Sequence, residues 1–180
     1  MNKNDLRQQA KLIRDAIPHN EFELAKILLQ DNVKKAMVGK KAIVGTYYPI
    51  GSEIHPPHVL DGFKITLPVI RNKETLEFYE WVKGEKLNDG RFNIPIPKTA
   101  FKQPCRPDVI LLPLLLCDIS GNRIGYGAGH YDRYIASTDN KPLLVGVCFE
   151  EQIYSDIIPT EHHDQRLDLI ITPKRIIEVS

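Results

Sequence analysis

Residues 122–133 (NRIGYGAGHYDR) hold the residue types with the clearest chemistry in the sequence. The glycines of this segment stand at alternate positions, Gly125, Gly127 and Gly129. Glycine permits a positive φ and a close approach of the backbone to a ligand, and successive N–H groups at a helix N-terminus bind phosphate well. Arg123 and Arg133 can neutralise such a phosphate, and Asp132 can reach Mg²⁺. The segment therefore predicts a phosphate-binding loop beside a cation site.

This glycine segment matches neither of the commonest nucleotide-binding motifs. Its spacing differs from the Rossmann pattern GxGxxG, and it lacks the GK[ST] of a P-loop. On composition alone, a glycine-rich turn that only joins a strand to a helix therefore stays open as an alternative.

Net charge and composition exclude a general attraction to polyanions. The chain has 180 residues, of which 42% are hydrophobic and 26% charged, and its formal net charge is +1. Such values are typical of one globular domain, here residues 1–180, and they provide no field that attracts nucleic acid or an anionic membrane. An anionic ligand must therefore be held by local donors, which the glycine segment supplies.

The cysteines and the N-terminal residues bear on the cellular setting. Cys105, Cys117 and Cys148 are odd in number and widely spaced, which argues against a disulfide framework or a zinc knuckle. Cys117 and Cys148 lie in or beside apolar runs, so we expect buried thiols. The first 15 residues have no apolar signal core, and no apolar run approaches the roughly 20 residues of a membrane span. We therefore expect a cytoplasmic protein.

Two amphipathic helices are predicted before any strand. Apolar spacing of three and four predicts a helix over residues 3–16, capped by Asn4 or Asp5 and ended near Pro18. A second helix is predicted over residues 21–37, with Gly39 as its stop signal. The residues expected to face inward are Leu6, Ala10, Ile13 and Ile17 in the first helix, and Phe22, Leu24, Ala25, Leu28, Leu29, Val33 and Met37 in the second.

The rest of the chain alternates strands with loops and helical stretches. Strands are predicted at residues 42–48, 64–70, 75–82, 109–116, 143–149 and 167–172, and a helix is predicted to start near His130. Residues 84–107 are rich in Gly, Asn and Pro and are expected to form one long loop, a lid or wall of a site. This order predicts an α/β fold, with a mostly parallel sheet flanked by helices and an N-terminal helical pair.

Residues 118–136 (DISGNRIGYGAGHYDRYIA) closely resemble the signature of the 5-formyltetrahydrofolate cyclo-ligases. The other motifs of that family also occur in family order: a K-x-x-x-R helix, Y-x-x-x-x-E, N-I-P-x-P and H-D-x-x-x-D. The resemblance thus covers nearly the whole chain. The sequence departs from the family pattern at Ala128, often Lys or Gly, and at His130, often an aromatic residue.

The resemblance implies specific roles for residues in these motifs. The ATP-binding set is Lys3, Arg7, Arg123, Gly125, Tyr126, Gly127, Ala128, Gly129, His130 and Tyr131. The folate-binding set is Tyr48, Glu53, Phe92, Tyr126 and His130. The catalytic residues are Arg123 and Asp132, and the Mg²⁺ ligands are Asp132 and Asp164.

The resemblance also implies an activity, the ATP- and Mg²⁺-dependent conversion of 5-formyltetrahydrofolate to 5,10-methenyltetrahydrofolate. Phosphorylation of the formyl oxygen and ring closure by N10 would release ADP and phosphate. A monomer acting on small molecules is expected, without nucleic acid or membrane.

Two alternative functions stay open. A sugar-phosphate isomerase on a similar scaffold would not need ATP, and a non-catalytic folate binder would lack ATP or Mg²⁺ ligands. A zinc site at His162 and His163 is disfavoured, because adjacent histidines on an extended segment point to opposite sides.

Overall fold

The computed structural model describes residues 2–38 and 42–180. Three α-helices lie within these ranges: α1 (Lys3–Asp15), α2 (His19–Ala36) and α3 (His130–Ala136). The strands are β1 (Ile43–Gly45), β2 (Lys64–Ile70), β3 (Leu76–Glu80), β4 (Leu87–Asn88), β5 (Ile96–Pro97), β6 (Val109–Pro113), β7 (Leu116–Asp118), β8 (Arg123–Ile124), β9 (Leu143–Val147), β10 (Ile153–Tyr154), β11 (Leu169–Ile171) and β12 (Ile176–Glu178). No described helix is long and apolar enough to cross a bilayer.

A seven-stranded sheet forms the centre of the molecule, in the order β12-β11-β9-β6-β1-β2-β3. The inner strands run parallel, and the edge strands β3 and β12 pair antiparallel with their neighbours. Parallel strands buried on both faces are continuously apolar, as β6 (VILLP) is. The chain moves from β1 outward to β2 and later returns to place β6 on the other side of β1. The predicted α/β class with a mostly parallel sheet is confirmed.

The two faces of this sheet are covered by different helices. The buried side of α2, including Leu29 and Val33, packs on the face that carries Val44 and Val145. Ile135 of α3 belongs to the apolar cluster on the opposite face, together with inward residues of β3, β6 and β9. Helix α1 instead packs Leu6 and Ala10 against Leu116 of β7 and Ile124 of β8. The N-terminal helical pair therefore serves two different surfaces.

A second, three-stranded sheet carries the glycine segment, and it corrects one prediction. The apolar run 109–116 is not one strand, because the chain leaves the large sheet after Pro113 and begins β7 at Leu116. β7 pairs antiparallel with β8 and parallel with β10. The turn between β7 and β8 is held by the buried Asp118 carboxylate, which accepts hydrogen bonds from the backbone N–H groups of Ser120 and Asn122 at 2.9 and 3.1 Å. This turn fixes where the glycine segment begins.

Several helix details differ from the sequence predictions. The N-cap of α1 is Asn2, whose side chain accepts from the backbone of Asn4 and Asp5, so neither of those two residues is the cap. The end of α1 near Pro18 is as predicted, and Pro18 is also the N-cap of α2. The expected stop signal, Gly39, lies outside the described residues. Three apolar residues expected to face inward are exposed: Ile13 by 44%, Leu24 by 61% and Leu28 by 40%.

The segment 84–107 is more structured than the long loop that was predicted. It contains the antiparallel pair β4–β5 and two short 3-10 turns, Arg91–Asn93 and Lys98–Phe101. Phe92 and Asn93 lie between these strands with φ values of 57° and 58°, a conformation uncommon for a bulky side chain. The segment forms a wall of the cavity described below, as predicted.

Candidate active site

One large cavity, of about 710 Å³, opens beside the carboxyl ends of β1 and β6. Its lining includes Tyr47 and Tyr48 after β1 and Pro113 at the end of β6. In an open α/β sheet, ligands bind where the strand order reverses, and the strands on either side of β1 mark such a point here. The volume lies within the usual range for small-molecule sites. The fold therefore places a ligand site at this edge of the sheet.

Every residue to which the family resemblance assigns a role lines this cavity. The set comprises Lys3, Arg7, Tyr48, Glu53, Phe92, Arg123, Gly125, Tyr126, Gly127, Ala128, Gly129, His130, Tyr131, Asp132 and Asp164. They come from α1, the segment after β1, the 3-10 turn at 91–93, the glycine segment with the first turn of α3, and the segment before β11.

At one end of the cavity the first turn of α1 meets the segment before β11. Lys3 Nζ lies 2.5 Å from Asp164 Oδ2 and 3.2 Å from Glu161 Oε1. Burial acts to raise the pKa of Asp164, but hydrogen bonds from Lys3 and the Glu161 backbone, with the charge of Lys3, outweigh it and lower this pKa. Burial acts to lower the pKa of Lys3, and the two carboxylates outweigh it and raise this pKa. Both groups are therefore charged at neutral pH.

The second ion pair of this end joins the glycine segment to α3. Arg123 Nη2 lies 2.6 Å from Asp132 Oδ1, and the Arg123 side chain is only 8% exposed. Arg123 also donates to the backbone carbonyl of Gln165. The N–H of Gln165 in turn donates to Asp132 Oδ1 at 3.1 Å. These contacts hold the glycine segment, α3 and the segment before β11 in one arrangement.

The glycine segment has the left-handed backbone that its sequence suggested. Gly127 has φ of 94° and Gly129 has φ of 66°, values that side chains rarely adopt. Arg7 reaches the segment from α1, and its Nε donates to the Gly125 carbonyl at 3.1 Å. Arg133, expected to contact a phosphate, instead donates to the Ala128 carbonyl at 2.7 Å, and it is not among the cavity-lining residues that the structure describes. The expected phosphate contact of Arg133 is wrong, since this side chain lies outside the cavity lining and stabilises the glycine segment through its bond to Ala128.

At the other end of the cavity a carboxylate lies among aromatic side chains. Glu53 is 4% exposed, and its Oε2 accepts from the Ile50 backbone N–H at 2.9 Å. Burial raises the pKa of Glu53, opposed by that hydrogen bond, by Arg14 and by the Tyr126 hydroxyl. Tyr48 stacks on His58 with ring centroids 5.9 Å apart. A buried acceptor between aromatic rings suits a heterocycle that bears N–H groups.

Two predicted folate-side residues lie at the rim. Phe92 is 71% exposed, and its ring borders the cavity from the 3-10 turn at 91–93. Burial and the charge of Arg133 lower the pKa of His130, so its ring is neutral at neutral pH. His130 can therefore stack or hydrogen-bond without adding positive charge to the cavity.

Asp132 and Asp164 are the carboxylates expected to hold a metal. The N–H of Gln165, the residue after Asp164, donates to Asp132, which links the two side chains through one backbone group. Among the described residues no hydrogen-bond donor reaches Asp132 Oδ2 or Asp164 Oδ1, and Mg²⁺ takes one or two carboxylates plus waters and phosphates. The donor set therefore fits Mg²⁺. In residues 2–38 and 42–180 no cluster of three or more His, Cys, Asp or Glu could hold a metal by itself.

The two adjacent histidines do not point to opposite sides. Residues 162 and 163 lie in a turn, so their rings meet edge-on with centroids 5.2 Å apart. His163 Nε2 lies 3.4 Å from Glu161 Oε2 and thereby joins the ion cluster around Lys3. The orientation expected from an extended segment is wrong here.

Sequence reasoning missed several residues at this site. Tyr47, Glu161 and His163 also line the cavity. Arg14, expected on the polar face of α1, is 2% exposed and donates to Tyr126 OH at 2.7 Å. Leu6, Ala10 and Arg14 follow one another at four-residue intervals and so share one helix face, but the apolar spacing favoured Ile13 as the inward residue.

The α/β fold thus brings the glycine segment, two paired cations and two carboxylates into one cavity. A family model described as the 5-formyltetrahydrofolate cyclo-ligase family matches residues 1–173. The chain belongs to this family, and it is a ligase of folate metabolism that converts 5-formyltetrahydrofolate to 5,10-methenyltetrahydrofolate.

Similar proteins agree with this membership. A 5-formyltetrahydrofolate cyclo-ligase of Mycolicibacterium smegmatis is 33% identical over 145 residues, which cover 73% of this chain and 74% of that protein. A probable 5-formyltetrahydrofolate cyclo-ligase of Schizosaccharomyces pombe is 25% identical over 94% of this chain and 86% of its own length.

Two solved structures share the fold. A 5,10-methenyltetrahydrofolate synthetase from Mycoplasma pneumoniae has a TM-score of 0.75 at 20% identity, over 96% of this chain and 99% of that one. A 5,10-methenyltetrahydrofolate synthetase from Aquifex aeolicus has a TM-score of 0.76 at 23% identity, over 99% and 93%.

Proposed function

We propose that this enzyme uses ATP and Mg²⁺ to close 5-formyltetrahydrofolate, with ADP and phosphate as the other products. The observation that carries the proposal is one cavity with two unlike ends, one rich in paired charges and one with a buried carboxylate among aromatic rings. Phosphoryl transfer needs positioning and charge stabilisation more than a protein nucleophile, which suits the charged end. A pterin ring with N–H donors suits the other end.

Lys3, Arg7 and Arg123 are proposed to hold the ATP phosphates. Lys3 and Arg7 are four residues apart on α1, so they share one helix face and can converge on one anion. Arg7 Nε already contacts Gly125, which brings its guanidinium beside the glycine segment. Gly125, Tyr126, Gly127, Ala128, Gly129, His130 and Tyr131 are proposed to complete the nucleotide site with their backbone and side chains.

Glu53 is proposed to accept hydrogen bonds from the pterin N–H groups. Its carboxylate is already desolvated, so each such bond would form without the loss of a full hydration shell. Tyr48, Phe92, Tyr126 and His130 are proposed to pack on the folate. Tyr126 and His130 would then lie between the two substrates.

The proposed reaction divides into two steps within one substrate. The formyl oxygen attacks the γ-phosphorus, the bond to ADP breaks, and the oxygen becomes part of a phosphate leaving group. The N10 lone pair then attacks the activated carbon, the N10 proton is lost, and the carbon–oxygen bond breaks to release phosphate. Arg123, oriented by Asp132 at 2.6 Å, is proposed to stabilise the charge that develops on the transferring group.

Asp132 and Asp164 are proposed to hold Mg²⁺. When bound, this ion would neutralise phosphate charge and orient the phosphates. The paired arrangement in the free protein means that Lys3 and Arg123 must share their carboxylate partners with the incoming ion. Both cations then become available to the phosphates.

The proposal extends to the chain as a whole. Residues 1–180 are proposed to form one catalytic domain, since Lys3 of the first helix and Asp164 near the end of the chain meet at the cavity. A monomer is proposed, since α1, the glycine segment and the segment before β11 of the same chain meet at the cavity. A cytoplasmic location is proposed because the three cysteines of the chain are free thiols. A reducing compartment keeps thiols in this state.

A single assay tests the proposed co-substrate. Purified protein is mixed with 5-formyltetrahydrofolate, Mg²⁺ and ATP, and methenyltetrahydrofolate is followed by its near-ultraviolet absorbance. The expected result is product that depends on both ATP and Mg²⁺. Equal product without ATP, or no product from folded protein that binds ATP, would contradict the proposal.

A further inference from the structure

Arg14 is a buried cation next to the cavity, and it has no part in the function proposed above. It lies on α1 with 2% of its surface exposed. Its Nε donates to Ser52 Oγ at 3.0 Å, and its Nη2 donates to Tyr126 OH at 2.7 Å. Within the described ranges its buried Nη1 finds no acceptor. A buried charge with an unmet donor is costly, so packing of α1 alone does not account for an arginine here.

The contacts of Arg14 join three separate parts of the site. Ser52 is the residue before Glu53, so the Nε bond fixes the turn that presents this carboxylate. Tyr126 belongs to the glycine segment, and its ring lies 5.6 Å from the Arg14 guanidinium carbon. Ser52 Oγ donates further to Asp15, which ties the turn to the end of α1.

The direction of these hydrogen bonds matters for the substrate. The Tyr126 oxygen accepts from Arg14, which leaves the hydroxyl proton for another acceptor. Glu53 is the neighbouring acid, and Arg14 and the Tyr126 hydroxyl both favour its ionised form. A polar chain therefore runs from the guanidinium through the phenol toward the carboxylate at the cavity wall.

We propose that Arg14 is a positioning residue for 5-formyltetrahydrofolate, which fixes the Tyr126 hydroxyl and the Glu53 carboxylate from behind the cavity wall. It touches no substrate itself, because it lies beneath the lining residues. The inference rests on the proposed folate-binding roles of Glu53 and Tyr126. It adds that α1 contributes to folate recognition through Arg14, in addition to its contacts at the phosphate end through Lys3 and Arg7.

A double-mutant cycle tests this role by direct binding. The dissociation constant for 5-formyltetrahydrofolate is measured calorimetrically, without ATP, for wild type, Arg14→Met, Tyr126→Phe and the double variant. If Arg14 acts through the Tyr126 hydroxyl, each single change weakens binding about tenfold, and the double variant is little weaker than the weaker single one. Additive losses in the cycle would overturn the inference.

Gln152 offers a matched control. It is 1% exposed, lines the same small void as Arg14 and Glu53, and donates only to backbone carbonyls of Leu114 and Leu115. Gln152→Met is expected to lower the melting temperature, leave the dissociation constant within about twofold of wild type, and combine additively with Tyr126→Phe. A loss of folate binding in Gln152→Met equal to that of Arg14→Met would overturn the role, because general destabilisation would then explain both.

A conservative variant keeps the test decisive if Arg14→Met does not fold. Lysine retains the charge but cannot bond Ser52 and Tyr126 together through a planar fork, so Arg14→Lys is expected to bind folate more tightly than Arg14→Met and less tightly than wild type. The same cycle is then run with Arg14→Lys, and additivity again overturns the inference. Wild-type protein that binds no folate would instead contradict the proposed folate site itself.

Discussion

The two ends of the cavity handle charge in opposite ways. At the phosphate end, Lys3 and Arg123 each lie against a carboxylate, at 2.5 and 2.6 Å, so the free protein already neutralises its own charges. At the folate end, Glu53 is 4% exposed, and burial raises its pKa despite the nearby Arg14. At the first end, Lys3 and Arg123 can exchange their carboxylate partners for an anion when an anion and a cation bind together. The second holds a buried carboxylate, which is the proposed acceptor for a substrate donor.

In the proposed function, this difference lets one small domain bind two unlike substrates. Lys3 and Arg123 at the charged end each have a carboxylate partner, which limits the cost of holding these cations there without ligand. At the proposed folate end, a substrate donor would displace little water, because the Glu53 carboxylate is already desolvated. Arg14 reaches from α1 to the folate end, while Lys3 on the same helix reaches the phosphate end. A single rigid helix thereby spans both.

The largest expected effect comes from the charged end. Asp132→Asn keeps the shape of the side chain but removes the charge that orients Arg123 and the proposed Mg²⁺ ligand. We expect kcat to fall by about 100-fold or more, with the KM for folate little changed. Steady-state kinetics with saturating ATP and Mg²⁺ measure this. A variant with wild-type melting temperature and near-normal kcat would refute the role of Asp132.

Arg123→Ala is a less clean test of the same end. Its side chain is only 8% exposed and pairs with Asp132, so removing it leaves a mostly buried carboxylate without its partner. We expect a loss of activity of similar size together with a lower melting temperature, measured by circular dichroism. Activity lost without any change in melting temperature would mean that the ion pair contributes nothing to the fold.

Glu53→Gln tests the folate end, with a smaller expected effect on turnover. The amide replaces one acceptor oxygen by a donor, so the KM for 5-formyltetrahydrofolate should rise about tenfold, while the KM for ATP stays within about twofold of the wild-type value. Kinetics with each substrate varied in turn separate the two constants. An equal rise of both constants would contradict a division of the cavity into two ends.

The same variant has a predicted pH signature in the free protein. The folded pKa of Glu53 is raised above the unfolded value of 4.5. Stability linked to its proton is therefore fully present below about pH 4.5 and is lost as the pH rises through the folded pKa. Glu53→Gln should lose this part of the pH dependence. The melting temperature of the variant, relative to that of wild type, should therefore increase from pH 4 to pH 7. Parallel melting curves over that range would contradict the raised pKa.

Gly127→Ala tests the backbone of the phosphate end. A Cβ there would meet the Arg7 guanidinium at 3.3 Å, at a φ of 94°. A left-handed conformation costs an alanine about 1–2 kcal/mol, so we expect a lower melting temperature and a KM for ATP raised several-fold. Gly125→Ala is the stability comparison, because nothing lies within 4 Å of its Cβ position. Equal melting temperatures for the two variants would contradict the strain argument.

Lys3→Met is expected to have the smallest effect on stability. The pair with Asp164 is partly solvated, so its loss should cost less than about 1 kcal/mol. Because the folded pKa of Asp164 is lowered from 3.8, its stabilisation is present above pH 3.8 and is lost as the pH falls through the folded pKa. Thermal melts between pH 2.5 and pH 6 should show a weaker acid dependence in the variant. An unchanged acid dependence would show that Lys3 does not stabilise the Asp164 carboxylate.

The sequence predicted much of this account because its strongest patterns are local. The range of β2, 64–70, matched the prediction, since an apolar, β-branched run between turn residues determines a buried strand. The glycine segment could be assigned for the same reason. Glycine permits the positive φ found at Gly127 and Gly129, although residue type alone does not separate these two from Gly125.

The features that the sequence did not predict depend on contacts between distant parts of the chain. Ile13 and Arg14 are neighbours on α1, and spacing alone favoured the apolar one. Which of them faces inward depends on Ser52 and Tyr126, which lie 38 and 112 residues away along the chain. Likewise, the break in the run 109–116 depends on pairing with β8 and β10, which no local pattern specifies. Polar networks between segments are thus the part that sequence periodicity does not encode.

Calorimetric titration of each substrate into Asp132→Asn and Glu53→Gln tests the two-ended cavity most directly. The account predicts a crossed pattern. Asp132→Asn should bind 5-formyltetrahydrofolate as wild type does and lose affinity for ATP with Mg²⁺, whereas Glu53→Gln should lose folate affinity and keep that for the nucleotide. Equal losses of both ligands in both variants would contradict it, because the cavity would then be one undivided site.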